Sequence, residues 1–429
     1  MKLFERLFKH ITLAFLLCFF APSTASSPNN EPTLQADSIE ISLLTCGPRQ
    51  QVYSLYGHTA IRFQDKQSGR DIAINYGVFS FDKPFFVLRF VFGLTDYEMG
   101  IAPFDIFEWE YGPTGCGVRQ QVLNLTAQEK MAIAQAVDRN MEPQNRVYRY
   151  NFFYDNCTTR ARDIIANNLN GRIVYDTSTP QHLNTSTPQH HNTPAQYPTF
   201  RNLIHNYNET HRWARFGNDL LLGVKADYNT TFEQQQFLPE RLCADFERAH
   251  IISADGTKRN LVSSSFWLFE PTTKQQSTQQ TNMSILDVFS PLVTFSILSI
   301  LTLIIAIVEY RRKRIIWVFD TSLMLTTGAC GLLLFAMIFS QHPTVSLNLQ
   351  ILLLNPINIF MLYSVTKAAR QNRIHWWTKA WSALILLLLA GSFLQSYAEG
   401  ITIVALSLLL RNISNIYTLK NTGSKQPEA

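Results

Sequence analysis

Tyr150-Asn-Phe-Phe-Tyr-Asp-Asn-Cys157-Thr-Thr-Arg160 is a stretch that predicts a strand running into a helix, with a cysteine at the junction. Phe152 and Phe153 are good strand formers, and Asp155 and Asn156 are residue types that cap helix N-termini. Beyond the cysteine, Gly171 can end the helix. One helical face collects the apolar residues Ala161, Ile164, Ile165 and Leu169.

A cysteine at a helix start has unusual chemistry. Cys157 would face unpaired backbone N–H groups and the positive end of the helix dipole. Both favour the thiolate over the thiol, and the thiolate is the nucleophilic form. The plainer interpretation is a buried cysteine beside a turn.

Composition separates the chain into a soluble and a membrane part. Of the 429 residues, 46% are hydrophobic and 16% charged, whereas a soluble domain has about 25% charged residues. The formal net charge is +5, and much of the excess lies between apolar segments of the C-terminal third. This pattern indicates membrane orientation, and no motif for nucleic-acid, phosphate-loop or zinc binding accompanies it.

The first 25 residues are typical of an export signal. Lys2, Arg6 and Lys9 precede the apolar stretch 11–20, and Ser23-Thr-Ala25 resembles a small-residue cleavage site. An uncleaved anchor is the alternative, and both place the following residues outside the cytoplasm. The domain boundaries predicted from the sequence are a signal peptide 1–25, an exported domain 38–270, a linker 271–286, a transmembrane domain 287–412 and a cytoplasmic tail 413–429.

In the exported part, stretches in which apolar and polar residues alternate predict strands. Ile39–Cys46 forms one, and 54–63 and 72–79 form a hairpin around a turn with Gly69. His58 lies on the first hairpin strand and Asn75 on the second. A histidine after glycine on an apolar strand is more often a hydrogen-bonded structural residue than a catalytic one.

Three further features lie along the exported part. Thr126 and Glu129 form a capping box that predicts a helix ending near Asn140. The aromatic run 85–93 is expected to be a buried core element, with an acyl-chain groove or a bilayer contact as alternatives. Residues 177–184 are repeated at 185–192, and the repeat is interpreted as an insertion in a surface loop rather than as a metal site.

The C-terminal third predicts five transmembrane helices. Their apolar spans are 289–308, 316–339, 348–366, 380–396 and 400–410. Basic residues follow the first, third and fifth spans, which places these ends inside and the exported domain outside. Asp320 lies within the second span and is a candidate for function or for an interfacial hydrogen bond.

The order of these motifs resembles a known family. His58 on a strand, followed later by Asn156-Cys157 at a helix start, is similar to circularly permuted papain-like folds, including NlpC/P60-related and lecithin:retinol-acyltransferase-like proteins. The full set looks like the Lnb-type lipoprotein N-acyltransferases. The motifs of that set are Leu44-Thr-Cys46, Tyr56-Gly-His-Thr-Ala-Ile-Arg62, Asn75-Tyr-Gly-Val-Phe79, Phe152-Phe-Tyr-Asp-Asn-Cys157, Asp219-Leu-Leu-Leu-Gly223, Ser340-Gln-His-Pro-Thr-Val345 and Asn355-Pro356.

The resemblance implies an α+β fold, with a papain-like periplasmic domain before an all-α bundle of five transmembrane helices in the bacterial inner membrane. It implies transfer of an acyl chain from a membrane phospholipid, through a cysteine thioester, to the α-amino group of a diacylglyceryl-cysteine at a lipoprotein N-terminus. Neither a cofactor nor a metal is implied, and no nucleic acid takes part.

Individual residues of the chain can be assigned roles in that chemistry. Cys157 is the expected nucleophile, His58 the base for both transfers, and Asn75 the residue that orients the imidazole. Asp65, Asp71 and Tyr76 remain alternatives for the orienting role. The residues expected to contact substrate are Tyr56, Tyr76, Arg62 and His342.

Other interpretations are compatible with the same residues. Cys46 is a structural thiol, a disulfide half or a second acyl carrier, and the pairing among Cys46, Cys116 and Cys243 is left undecided. A membrane-tethered cysteine peptidase or amidase acting on cell-wall peptide would use the same Cys157 and His58. A non-enzymatic membrane sensor would need neither residue.

Overall fold

The computed structural model describes residues 36–49, 51, 54–79, 84–177, 197–272 and 289–423. The predicted signal peptide, nearly all of the repeated segment and most of the predicted linker lie outside the described residues.

A seven-stranded antiparallel sheet organises the exported domain. Its strands occur in the order β10-β5-β1-β2-β3-β4-β6. They are β1 (Ile39–Cys46), β2 (His58–Asp65), β3 (Arg70–Val78), β4 (Asp96–Pro103), β5 (Val118–Leu123), β6 (Val147–Arg149) and β10 (Val262–Phe269). The strand predicted at 39–46 and the hairpin after it are confirmed.

The β2–β3 turn has a local cause. Asp65 accepts hydrogen bonds from the Gln67 amide at 3.0 Å and the Ser68 hydroxyl at 2.6 Å. Gly69 has a φ of +73°, which favours glycine. The turn fixes the register that places Ala60 opposite Asn75, so His58 and Asn75 lie at the same end of the hairpin.

Helices cover the sheet and close the main core. They are α1 (Phe86–Val91), α2 (Phe104–Tyr111), α3 (Ala127–Met141), α4 (Cys157–Ala166), α5 (Phe200–His205), α6 (Arg212–Leu221), α7 (Phe232–Gln235) and α8 (Pro239–Arg248). A small sheet contains β7 (Arg172–Val174), β8 (His250–Ile252) and β9 (Lys258–Asn260). The predicted capping box at the start of α3 is confirmed. Residues of β1, β2, β3, α3, α4 and α8 share one apolar core.

Five apolar helices form the C-terminal domain. They are α9 (Pro291–Arg312), α10 (Trp317–Met337), α11 (Ile357–Arg370), α12 (Trp376–Gly391) and α13 (Ile401–Gly423). Among the residues that the structure describes, four candidate spans are long and apolar enough to cross a membrane, the third counted as Leu349–Arg370. The prediction of five spans was therefore one too many by this measure. With 16 residues, α12 is about 24 Å long, shorter than a hydrocarbon core of about 30 Å.

A buried ion network joins three of these helices. Arg411 of α13 is 1% exposed and donates to Asp320 at 2.6 Å and to Glu309 at 2.9 Å. Asp320 therefore has a structural partner inside the bundle. Arg411 is one of the basic residues that follow the fifth predicted span, and its charge is paired within the protein.

The exported and membrane domains meet through backbone hydrogen bonds. The amide of Gly223 donates to Thr344 O, and the amide of Val224 to Leu347 O, both at 2.8 Å. A Cβ on Gly223 would lie 2.0 Å from Leu347 O, so this close approach requires glycine. Arg201, which is 1% exposed, binds Asp219 at 2.8 Å beneath the contact.

Candidate active site

Cys157 is the first residue of α4, and Asn156 is its N-cap. The Asn156 side-chain oxygen accepts from the amides of Thr158 at 2.9 Å and Thr159 at 3.0 Å. Its side-chain nitrogen donates to Phe237 O at 2.9 Å. Because this cap takes the second and third amides of the helix, it leaves the Cys157 amide for another acceptor.

The residues leading to Cys157 form a turn rather than the predicted strand. Strand β6 ends at Arg149, and Asn151 and Asp155 then exchange two backbone hydrogen bonds of 2.9 Å. These bonds close a tight turn, so 150–156 cannot continue the ladder. The turn brings Cys157 to the end of the hairpin where His58 lies.

His58 is held between Asn75 and Cys157. Its Nε2 hydrogen-bonds to the side-chain oxygen of Asn75, and the ring lies close enough to Cys157 for each group to shift the pKa of the other. A Cβ on Gly77 would lie 2.9 Å from His58 Cε1. The absence of a side chain at Gly77 therefore provides the space that the imidazole occupies.

The electrostatics of the site favour a thiolate–imidazolium pair. Burial raises the pKa of Cys157, but the charge and hydrogen bond of His58, with a backbone hydrogen bond from Thr59, lower it to about 7 overall. Burial lowers the pKa of His58, and the interactions with Cys157 and Asn75 raise it to a net value above the ordinary one. Each group thus stabilises the charged form of the other.

A cavity of about 410 Å³ opens onto this pair. Aromatic rings form much of its wall, and Arg49 and Glu110 contribute charge. The aromatic residues are Tyr56, Phe79, Tyr97, Tyr111, Tyr150, Phe152 and Phe237. The site thus combines an activated thiolate, an imidazole and a chamber lined with aromatic rings, which suits attack on the carbonyl carbon of an ester or amide.

The alternatives for the orienting residue lie elsewhere. Asp65 caps the hairpin turn at the opposite end of β2. Asp71 binds the guanidinium of Arg62 at 2.6 Å and 2.9 Å. The hydroxyl of Tyr76 accepts from Asn140 at 3.0 Å within the core. Of the four candidates, the structure brings only Asn75 to His58.

Of the residues expected to contact substrate, Tyr56 lines the cavity, and its hydroxyl accepts from Asn218 at 2.8 Å. Arg62 is occupied by Asp71 and stacks on the Phe104 ring at 3.6 Å, and Tyr76 is 1% exposed. His342 bonds to Phe90 O at 3.0 Å, in the loop after α10. The cavity wall includes none of these last three.

The second cysteine of the motif set has a different environment. Cys46 is 1% exposed, and burial, followed by the nearby Cys116, raises the pKa of its thiol well above the ordinary value. It stays a thiol at neutral pH, unlike Cys157. Among the described residues, Cys46, Cys116, Cys157, Cys243 and Cys330 are all free.

Sequence reasoning missed several cavity residues. Gly77 lies within one of the family-like motifs, yet nothing in the sequence indicates its role beside His58. Tyr97, Tyr111 and Tyr150 carry no local signal that links them to Cys157. No group of three or more possible metal ligands occurs within the described parts of the chain.

Fold and site define the class of this protein: a multi-pass membrane protein with an α+β periplasmic domain and a cysteine–histidine pair. Two family models match the chain, the Lnb N-terminal periplasmic domain over residues 27–202 and the Lnb transmembrane domain over residues 280–422. The chain belongs to the Lnb family, as the motif resemblance predicted. No curated protein and no solved structure matches it.

Proposed function

We propose that this protein is a lipoprotein N-acyltransferase of the bacterial inner membrane. In this proposal it moves an acyl chain from a membrane phospholipid to the α-amino group of a diacylglyceryl-cysteine. The observation that carries the proposal is the Cys157–His58 pair, in which the pKa of the thiol is lowered to about 7 at the wall of an aromatic cavity. The papain-like interpretation of the domain belongs to the same proposal.

In the first half-reaction the Cys157 thiolate attacks the ester carbonyl of the phospholipid. A carbon–sulfur bond forms, the ester carbon–oxygen bond breaks, and His58 gives its proton to the departing lysophospholipid oxygen. Asn75 holds the imidazole through Nε2. In this proposal the backbone amide of Cys157 stabilises the oxyanion, an interaction worth about 3–4 kcal/mol per donor.

In the second half-reaction the lipoprotein amine attacks the thioester. Its ordinary pKa is about 8, so His58, now neutral, accepts a proton from it as the carbon–nitrogen bond forms. The carbon–sulfur bond then breaks and restores the thiolate. The aromatic wall supports an acyl chain as the group transferred, and the attached membrane domain keeps the site beside both lipid substrates.

The test is mass spectrometry of lipoprotein N-termini from cells with this protein as their only candidate N-acyltransferase. Wild type should give triacylated termini, and Cys157→Ala diacylated termini. Cys46→Ala is the matched control, because its buried thiol stays protonated, and it should retain triacylation. Diacylated termini with the wild type, present in the membrane at normal levels, would refute the proposal and favour cleavage of cell-wall peptide.

A further inference from the structure

The short helix α1 exposes an apolar surface. Phe85, at its start, is 77% exposed, and Leu88 one turn later is 51% exposed. The prediction that this run is a buried core element is wrong for both side chains. Phe85 also has a φ of +56°, a conformation that a bulky residue rarely adopts. A strained backbone that presents a phenyl ring outward is typical of a functional segment.

Contacts with the membrane domain show where α1 lies. Its last carbonyls accept hydrogen bonds from the loop that follows α10. The Ser340 hydroxyl donates to Val91 O at 2.9 Å, and the Gln341 amide donates to Phe92 O at 3.0 Å. Since this loop begins where a membrane helix ends at its periplasmic side, α1 lies at the outer boundary of the bilayer.

Charges near α1 suit a layer of lipid phosphates. Arg89 of α1 pairs with Asp96 at 3.4 Å, and Arg149 pairs with the same carboxylate at 3.0 Å. One carboxylate thus serves two guanidinium groups, and these three side chains together carry a net positive charge beside the apolar surface. An apolar helix with arginines at its edge is the pattern of a segment inserted at a membrane interface.

A continuous row of aromatic rings joins α1 to the cavity. The Phe90 ring lies 6.1 Å from that of Tyr150, Tyr150 lies 4.1 Å from Tyr97, and Tyr97 lies 4.8 Å from Phe79, measured between ring centroids. The last three residues line the cavity that contains Cys157. The row therefore runs from the bilayer boundary to the wall of the cavity that contains the nucleophile.

We propose that α1 inserts Phe85 and Leu88 into the outer leaflet of the membrane and guides a phospholipid acyl chain along the Phe90–Tyr150–Tyr97 row to Cys157. The membrane contact stands independently. The guidance of an acyl chain rests on the function proposed above.

The membrane contact is tested with a fluorescent probe on the full-length protein. A cysteine is introduced by Phe85→Cys in a Cys157→Ala background, labelled with a polarity-sensitive fluorophore, and reconstituted into phospholipid vesicles with headgroup-proximal spin-labelled lipid. Phe266→Cys is the matched control, because Phe266 is 46% exposed on β10 at the opposite edge of the sheet. We expect the lipid to quench the Phe85 probe several-fold more than the Phe266 probe.

Equal quenching of the two probes would overturn the membrane contact. A Phe85 probe that escapes lipid, but becomes shielded when more protein or a lipoprotein is added, would also overturn it. That result would assign the surface to a second copy of the chain or to the acceptor.

The access route is tested by comparing two acyl donors. Phe85→Ser/Leu88→Ser should acylate Cys157 from vesicle phospholipid at least tenfold more slowly than wild type. Its rate with a water-soluble short-chain ester should stay within twofold. Equal loss with both donors would overturn the route, because α1 would then only support the fold. A wild-type protein that reacts with neither donor would refute the proposed function itself. The membrane contact would still be decided by the quenching of the Phe85 and Phe266 probes.

Discussion

Gly77→Ala tests whether the space beside His58 sets the reactivity of Cys157. The added methyl would lie 2.9 Å from His58 Cε1 and 3.5 Å from Nδ1. Carbon atoms prefer separations of about 3.5–4.0 Å, so the ring must move by roughly 0.5–1 Å. Because Asn75 holds the other side of the ring, this movement weakens the contact of His58 with Cys157.

The size of the effect follows from the pKa of Cys157. In the native site the pKa is about 7, against an ordinary value of 9.0. A return of the Cys157 pKa to 9.0 would lower the thiolate fraction at pH 7 about 50-fold. A thiolate of higher pKa is more nucleophilic, by about 6–10-fold over two units. We therefore expect Cys157 to be alkylated up to about 5–8-fold more slowly at pH 7.

The assay is alkylation of Cys157 by iodoacetamide across pH 5–10, followed by peptide mass spectrometry of the full-length protein in detergent. Wild type should show a midpoint near pH 7, and Gly77→Ala a midpoint shifted upward. Gly217→Ala is the control, because a Cβ added at Gly217 would meet no atom of a neighbouring element within 4 Å. A Gly77→Ala profile that overlays the wild type would refute this account of the site.

Three further changes have distinct expected outcomes. Asn75→Ala removes the acceptor that orients His58, and single-turnover acylation should slow about 10–100-fold; an unchanged rate would exclude an orienting role. Asn156→Ala removes the cap of α4 and leaves the Thr158 amide and the Phe237 carbonyl without their hydrogen-bond partner. The free energy of unfolding, measured by denaturant titration, should therefore fall by about 2–4 kcal/mol. Gly223→Ala places a Cβ 2.0 Å from Leu347 O and should lower the free energy of unfolding by about 3 kcal/mol. A melting temperature equal to that of wild type would contradict the close contact between the domains.

Local patterns in the sequence predicted much of the exported domain. Alternation predicted β1 and the β2–β3 hairpin, because each strand buries one face or both in the core. The capping types at Asp155 and Asn156 placed the start of α4 correctly at Cys157. The juxtaposition of His58 and Cys157 came from the family resemblance, since no local pattern links residues 99 positions apart.

Features that depend on distant contacts could not be predicted. The exposure of Phe85 is set by where α1 lies against the membrane domain, although aromatic composition alone favoured a buried element. The end of the fifth span was misjudged for a related reason. Residues after Leu410 are polar, yet α13 continues to Gly423 because Arg411 finds carboxylate partners inside the bundle.

The most direct test of the central claim is intact-protein mass spectrometry of purified full-length protein after incubation with phospholipid alone. The account predicts one added acyl chain on Cys157 that hydroxylamine removes at neutral pH, absent from Cys157→Ala and released when a diacylated lipopeptide is added. Wild-type protein that never gains the mass of an acyl chain would contradict the account. A Cys157→Ala variant that gains the same mass as wild type would also contradict it.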